Sequence, residues 1–192
     1  MVDKPTIILL SGTPASGKDT VTEKLHQINM SVELFKKHKF GVGGKKDNTY
    51  IHVSEEAFDQ LVKSNGFIQY HQRYGRGYGV SQEELERLFV LNVIPVIHVG
   101  KPENLTPLLQ SPLYKVINVL LTASRESTQS RLTLRHHNDI AEQAVRLKAY
   151  DEEIHSRSDL ANQGCEIAFN ITIDTDKYSA AEAAAIINDR VQ

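Results

Sequence analysis

At 192 residues, with 40% hydrophobic and 24% charged residues, the chain has the length and composition of one globular domain with a substantial core. A formal net charge of −2 excludes an overall basic surface for nucleic acid or an anionic membrane. The single cysteine, Cys165, excludes an internal disulfide framework, and no apolar run approaches the ~20 residues that span a bilayer, so a cytoplasmic protein is expected.

Short apolar runs alternate with amphipathic segments, the rhythm of a parallel sheet flanked by helices. The first run, Thr6 to Gly12, is β-branched and apolar, as a central parallel strand should be. Helical spacing of Val21, Leu25 and Ile28 predicts a helix from Lys18 to about Met30. Further strands are expected at Val93 to Gly100, Tyr114 to Ala123 and Cys165 to Asp174. Helices are expected at Glu83 to Leu91, Arg125 to Leu134, Asp139 to Arg157 and Ala180 to Arg190. Between Tyr50 and Val80 the rhythm changes to a strand, a helix capped by Ser54 with Glu55 and Glu56 in its first turn, and a stretch rich in aromatics and glycine. This segment reads as a small lobe inserted into an α/β core.

The turn after the first strand carries Gly12, four residues, then Gly17 and Lys18, the spacing of a phosphate-binding loop. Such a loop aims backbone N–H groups and a helix N-terminus at one point, and its lysine neutralises the outer phosphates. Gly12, Thr13, Pro14, Ala15, Ser16, Gly17, Lys18, Asp19 and Thr20 are therefore candidate ATP-binding residues. Asp19 stands where Ser or Thr usually follows the lysine; it either holds magnesium, directly or through water, or only favours the helix N-terminus, or repels phosphate and marks a dead site, with Thr20 offering a hydroxyl one place later.

The sequence from Tyr50 to Val80 resembles the acceptor lobe of guanylate kinases, whose pattern Tyr50, Val53, Ser54, Phe58, Phe67, Tyr70, Gly75, Tyr78 and Gly79 follow without a gap. G-K-x-T in the loop is also common in the nucleoside monophosphate kinase superfamily. Arg131, Arg135 and Arg146 match the arginines of the lid in the same kinases, and Asn170 matches an asparagine that lies near their adenine, or serves as a turn former. The resemblance implies a doubly wound P-loop kinase of one domain, residues 1–192. Its core would take 1–35 and 81–192, an acceptor lobe about 36–80 and a lid about 131–146. It implies ATP and Mg2+ as cofactors, Lys18 and the three arginines as catalytic residues, and Tyr50, Gln69, Tyr78, Gly79 and His98 about the acceptor. No nucleic-acid or membrane partner is implied.

The departures gather on the acceptor. The glutamate that grips guanine in the family is Gln69 here, a second carboxylate corresponds to Gly100, and a hydroxyl to Val80. His98 either replaces part of that function or is a satisfied histidine at a strand end. The family's phosphate-gripping arginines have no counterpart; Lys36, Lys37, Lys39, Lys45 and Lys46 supply charge instead, either as a clamp, with Lys45 and Lys46 as candidates, or as a solvated loop. G-K-D and Y-G-V are also similar to bacterial ribose bisphosphate phosphokinases, so the acceptor is a nucleoside monophosphate or a sugar phosphate. Retention of Lys18 and the lid arginines argues against a non-catalytic guanylate-kinase-like binding module. His136 and His137 point different ways at a helix end and make no zinc site.

Overall fold

The computed structural model describes residues 4–41, 47–73 and 75–191. The elements run β1 (Thr6–Gly12), α1 (Lys18–Ile28), β2 (Val32–Leu34), β3 (Lys37–Phe40), β4 (Tyr50–His52), α2 (Glu55–Lys63), β5 (Phe67–Arg73), β6 (Arg76–Ser81), α3 (Gln82–Val90) and β7 (Ile94–Val99). After them come α4 (Thr106–Leu109), β8 (Lys115–Thr122), α5 (Arg125–Arg135), α6 (Ile140–Asn162), β9 (Ile171–Asp174) and α7 (Ala180–Asn188). Five strands form a parallel sheet in the order β2-β7-β1-β8-β9, with β1 at its centre.

Alternation along β1 explains why helices cover both faces. Ile8 and Leu10 join Val21 and Leu25 of α1 and Ala183, Ala184 and Ile187 of α7 in one buried cluster. Ile7 and Leu9 join Leu85 and Leu88 of α3 and Leu108 of α4 in another. The chain is thus an α/β protein wound on both sides of a parallel sheet, as the apolar runs predict.

A second sheet, β4-β3-β6-β5, is made from residues 37–81. β3 pairs parallel with β4 and antiparallel with β6. Phe40, Phe58 and Phe67 form its own small core, with ring centroids 5.0 and 4.7 Å apart along the row. The lysine-rich segment is therefore in part a central strand of this sheet, which its composition does not announce. The ladder to β4 and β6 supplies what propensity lacks.

The last predicted strand is much shorter than its apolar run. Residues 165–170 stay irregular because side chains take over the ladder there. Asn118 N donates to Asn170 Oδ1 at 2.7 Å, and Asn118 Nδ2 donates to the Ala168 carbonyl at 2.8 Å. Ile167 and Phe169 pack instead against the cluster beneath α3 and α4. α6 outruns its predicted end by five residues, to Asn162.

Candidate active site

The phosphate loop leaves the C-terminal end of β1. A Cβ on Gly12 would lie 2.6 Å from the Leu121 carbonyl and 2.5 Å from Ser16 Oγ, so only glycine permits this path. Gly17 caps α1 in a left-handed conformation, φ 93°, with no side-chain cap, which leaves the helix N-terminus to an outside acceptor. Lys18 curls over the loop and donates to the carbonyls of Gly12 and Thr13, the latter at 2.9 Å. Ala15 holds a positive φ of 57°, and Arg131 donates to its carbonyl at 3.2 Å. The same guanidinium donates to Thr175 Oγ1 at 2.9 Å, the Thr175 carbonyl at 2.8 Å and Asp176 Oδ1 at 3.2 Å. Arg131 therefore ties the loop to the turn after β9. Beside it opens a cavity of about 290 Å³ whose lining includes Gly17, Thr20, Arg131, Arg135, Thr175 and Tyr178.

A second cavity, about 200 Å³, lies between the two sheets. Lys37, Tyr50, His71, Tyr78, His98 and Gly100 line it. Lys37 and Lys39 share one face of β3. Lys39 is 2% exposed, and its Nζ sits 5.2 Å from the Tyr50 ring centroid and 5.9 Å from that of Tyr78. The two tyrosine rings are 5.5 Å apart. Burial pushes the Tyr50 phenol up to about 12, helped by Tyr78 and Asp19 and opposed by Arg146. Lys37 reaches the cavity surface yet is crowded by protein; desolvation pulls it down to about 8, with Lys18 adding repulsion. Arg146, at the start of α6, is held by Glu142 through an Nε–H to Oε1 bond of 2.7 Å.

Gln69 is buried on β5. Its Nε2 donates to Asn104 Oδ1 at 3.2 Å and meets His71 Nδ1 at the same distance, while Oε1 has no hydrogen-bond partner among the described residues. His98 bonds Thr22 Oγ1 through Nε2 at 2.7 Å, and its Nδ1 stands 3.5 Å from Asp19 Oδ1. It links β7 to the first two turns of α1 as well as lining the cavity.

The guanylate kinase family model matches residues 4–181. The chain belongs to that family. Guanylate kinase of Mycoplasmopsis pulmonis is 24% identical over 97% of this chain and 95% of its own. Guanylate kinase of Clostridium tetani is 26% identical over 80% of this chain and 74% of its own. The crystal structure of guanylate kinase from Anaplasma phagocytophilum covers 98% of this chain and 85% of its own, with a TM-score of 0.61 at 17% identity, a likeness of fold. Members of the family are ATP-dependent phosphotransferases, and this chain is a kinase of that kind.

Within this guanylate kinase family chain, several sequence expectations are relocated. Asn170, expected near the adenine or in a turn, precedes β9 level with Asn118, away from the C-terminal sheet edge where the loop lies, and its side chain serves the β8 ladder. Thr175, after β9, is the residue beside the loop. Gly79 does not face the cavity: a Cβ there would lie 2.5 Å from the Phe67 ring, so it serves the packing of the lobe. Asp19 and Thr20, adjacent at the start of α1, line different cavities. Asp19 alone, 41% exposed, suits an ion that takes one carboxylate and completes its shell from phosphates and water. No cluster of three or more His, Cys, Asp or Glu suited to a metal occurs among the described residues. Among those residues, too, no helix is long and apolar enough to cross a membrane. Lys45 and Lys46 lie outside the described residues. Sequence reasoning did not single out His71, nor Glu153 on α6, whose carboxylate approaches Gly100. A K-x-K alternation on a strand was the available signal for Lys37 and Lys39.

Proposed function

We propose that this kinase transfers the γ-phosphoryl group of ATP to a nucleoside monophosphate, with GMP as the acceptor and Mg2+ carried on the nucleotide. The observation that carries this reading is a pair of cavities, one against the phosphate loop and α5, the other against Tyr50, Tyr78 and Lys37 of the second sheet, whose lysine feels the charge of Lys18 on the loop. ATP would take the first, its phosphates on the loop N–H groups of Gly12 to Thr20, with Thr175 and Arg135 alongside. Asp19 would hold the ion, which neutralises phosphate charge when bound. The acceptor's phosphate would enter the second cavity between Tyr50, Tyr78, Lys37 and Lys39. These lysines stand in for the arginines that the chain lacks. Lys37 and Lys39 point from one strand face, so their charge is pre-arranged although the bidentate fork is lost.

The division of labour follows from charge. Lys18 swings from its loop carbonyls to the transferring group, and Arg135 and Arg146 approach from α5 and α6. Arg131 acts mainly through the loop that it ties down. A phosphate acceptor is already an anion at neutral pH, so no side chain need remove a proton. The core, acceptor lobe and lid, about residues 131–146, are the parts that would close, excluding water.

The test is ADP release from ATP and Mg2+ with GMP, AMP or ribose 1,5-bisphosphate as the single acceptor. GMP should give the largest kcat/KM, and Lys18→Ala should lower it by about 10³ or more with the fold intact. Release with ribose 1,5-bisphosphate alone would overturn the nucleotide reading, and full turnover in the Lys18 variant would overturn the loop assignment.

A further inference from the structure

Gly100 ends the strand that lines the acceptor cavity, and it leaves a gap that another element fills. A Cβ built there would lie 2.9 Å from Glu153 Oε1, so the carboxylate of α6 stands in the space a side chain at the end of β7 would take. Glu153 Oε2 is buried and has no hydrogen-bond partner among the described residues. Arg157, one helical turn on, does not supply one: its own Nη2 is buried and equally without a partner, and no ion pair joins the two among the described residues. Burial pushes the Glu153 carboxyl up, while Lys18, Arg157 and Lys101 draw it back toward the ionised form and Glu103 opposes them. The other unsatisfied acceptor near this turn is Gln69 Oε1, whose amide nitrogen is tied to His71 and to Asn104, the last residue of the 3₁₀ turn Pro102–Asn104.

Two buried oxygens, Glu153 Oε2 and Gln69 Oε1, thus lack donors on the two sides of residues 100–104, with the buried Arg157 Nη2 a donor that lacks an acceptor one turn along α6. Such atoms are uncommon in folded proteins, and a ligand, a water or an ion can complete them. We propose that Glu153 is a specificity-determining residue, a carboxylate delivered by α6 that reads, with Gln69, an acceptor edge bearing two N–H donors. The inference rests on the nucleotide reading above and names its chemistry: a purine with a ring N–H beside an exocyclic amine, as guanine has. Adenine, whose amine adjoins a ring acceptor, presents a lone pair where this surface needs a donor. Because Glu153 shares a helix with Arg146, the right base and the arginine would arrive by one movement.

The experiment measures kcat/KM for GMP and for AMP, with ribose 1,5-bisphosphate as a base-free acceptor, in the wild type, Glu153→Gln and Gly100→Ala. The wild type should prefer GMP by about 100-fold or more. Glu153→Gln should cut that preference at least about tenfold, chiefly through the GMP KM, because the amide offers a donor to a donor. Gly100→Ala should do the same from the strand side, where its methyl displaces Oε1, and it tests the idea even if the α6 variant misfolds. Equal losses for GMP and AMP, or an unchanged preference in both variants, would overturn the assignment of Glu153 while leaving the nucleotide reading in place. A wild type that uses ribose 1,5-bisphosphate and neither nucleotide would overturn both.

Discussion

Lys37, at the proposed acceptor site, would trade stability for binding. Its folded pKa, about 8, lies below its unfolded value of about 10.5, so the folded state disfavours the charge. Between these values the unfolded chain holds more protons than the folded one, and this group therefore adds stability as pH rises. Its penalty is fully present below pH 8. Lys37→Met should raise Tm at pH 7, with the gain shrinking between about pH 8 and 10.5. The same variant should raise the acceptor KM. In the wild type, kcat/KM for the acceptor should decline as pH passes about 8, whereas Lys37→Arg should stay flat through that range because guanidinium does not titrate there. A parallel decline in both enzymes would mean that Lys37 does not carry the acceptor's charge.

Elements differ in how much core supports them. The parallel sheet is buried on two faces, while the second sheet relies on Phe40, Phe58 and Phe67 with Val53, Leu61 and Val62 around them. Phe58 is fully buried at the centre of that row, touching Phe40 and Phe67. Phe58→Ala should cost about 3–5 kcal/mol, borne by the lobe. Amide exchange should speed up in β3, β5 and β6, and α7, closed by the Ser179 and Glu182 capping box, should keep its protection. Uniform acceleration across both sheets would show one cooperative unit instead.

At the scale of the whole molecule, the proposed site would be made between parts. The loop comes from β1 and α1, the proposed acceptor face from β3, β4 and β6, and Arg146 and Glu153 from α6. Ligands that bridge these parts should therefore stabilise them jointly. A non-hydrolysable ATP analogue at about 100 times its Kd adds ~2.7 kcal/mol by mass action. With GMP also present, the rise in Tm should exceed the sum of the two separate rises, since closure around one nucleotide pre-arranges the site for the other. Strictly additive shifts would mean that the two cavities do not communicate.

What the sequence determined by itself is the local part. The strand, the glycine spacing and Lys18 are contiguous, and a loop whose ligand contacts are backbone N–H groups is legible wherever its residues are adjacent. The helix start at Ser54 was likewise legible, because a cap involves only neighbouring residues, and the helices expected from Arg125 and Ala180 do begin there, each capped by the serine before it. Tertiary structure decided the rest. That Lys39 is buried between two tyrosines follows from the β3 ladder. That Asn170 serves β8 and Gly79 yields to Phe67 follows from strand register across many residues. That Glu153 faces Gly100 follows from the path of α6, which brings together residues 53 positions apart. Periodicity encodes which face of an element is buried, but not what the element meets there. A site made from such meetings is set by the packing of the whole chain.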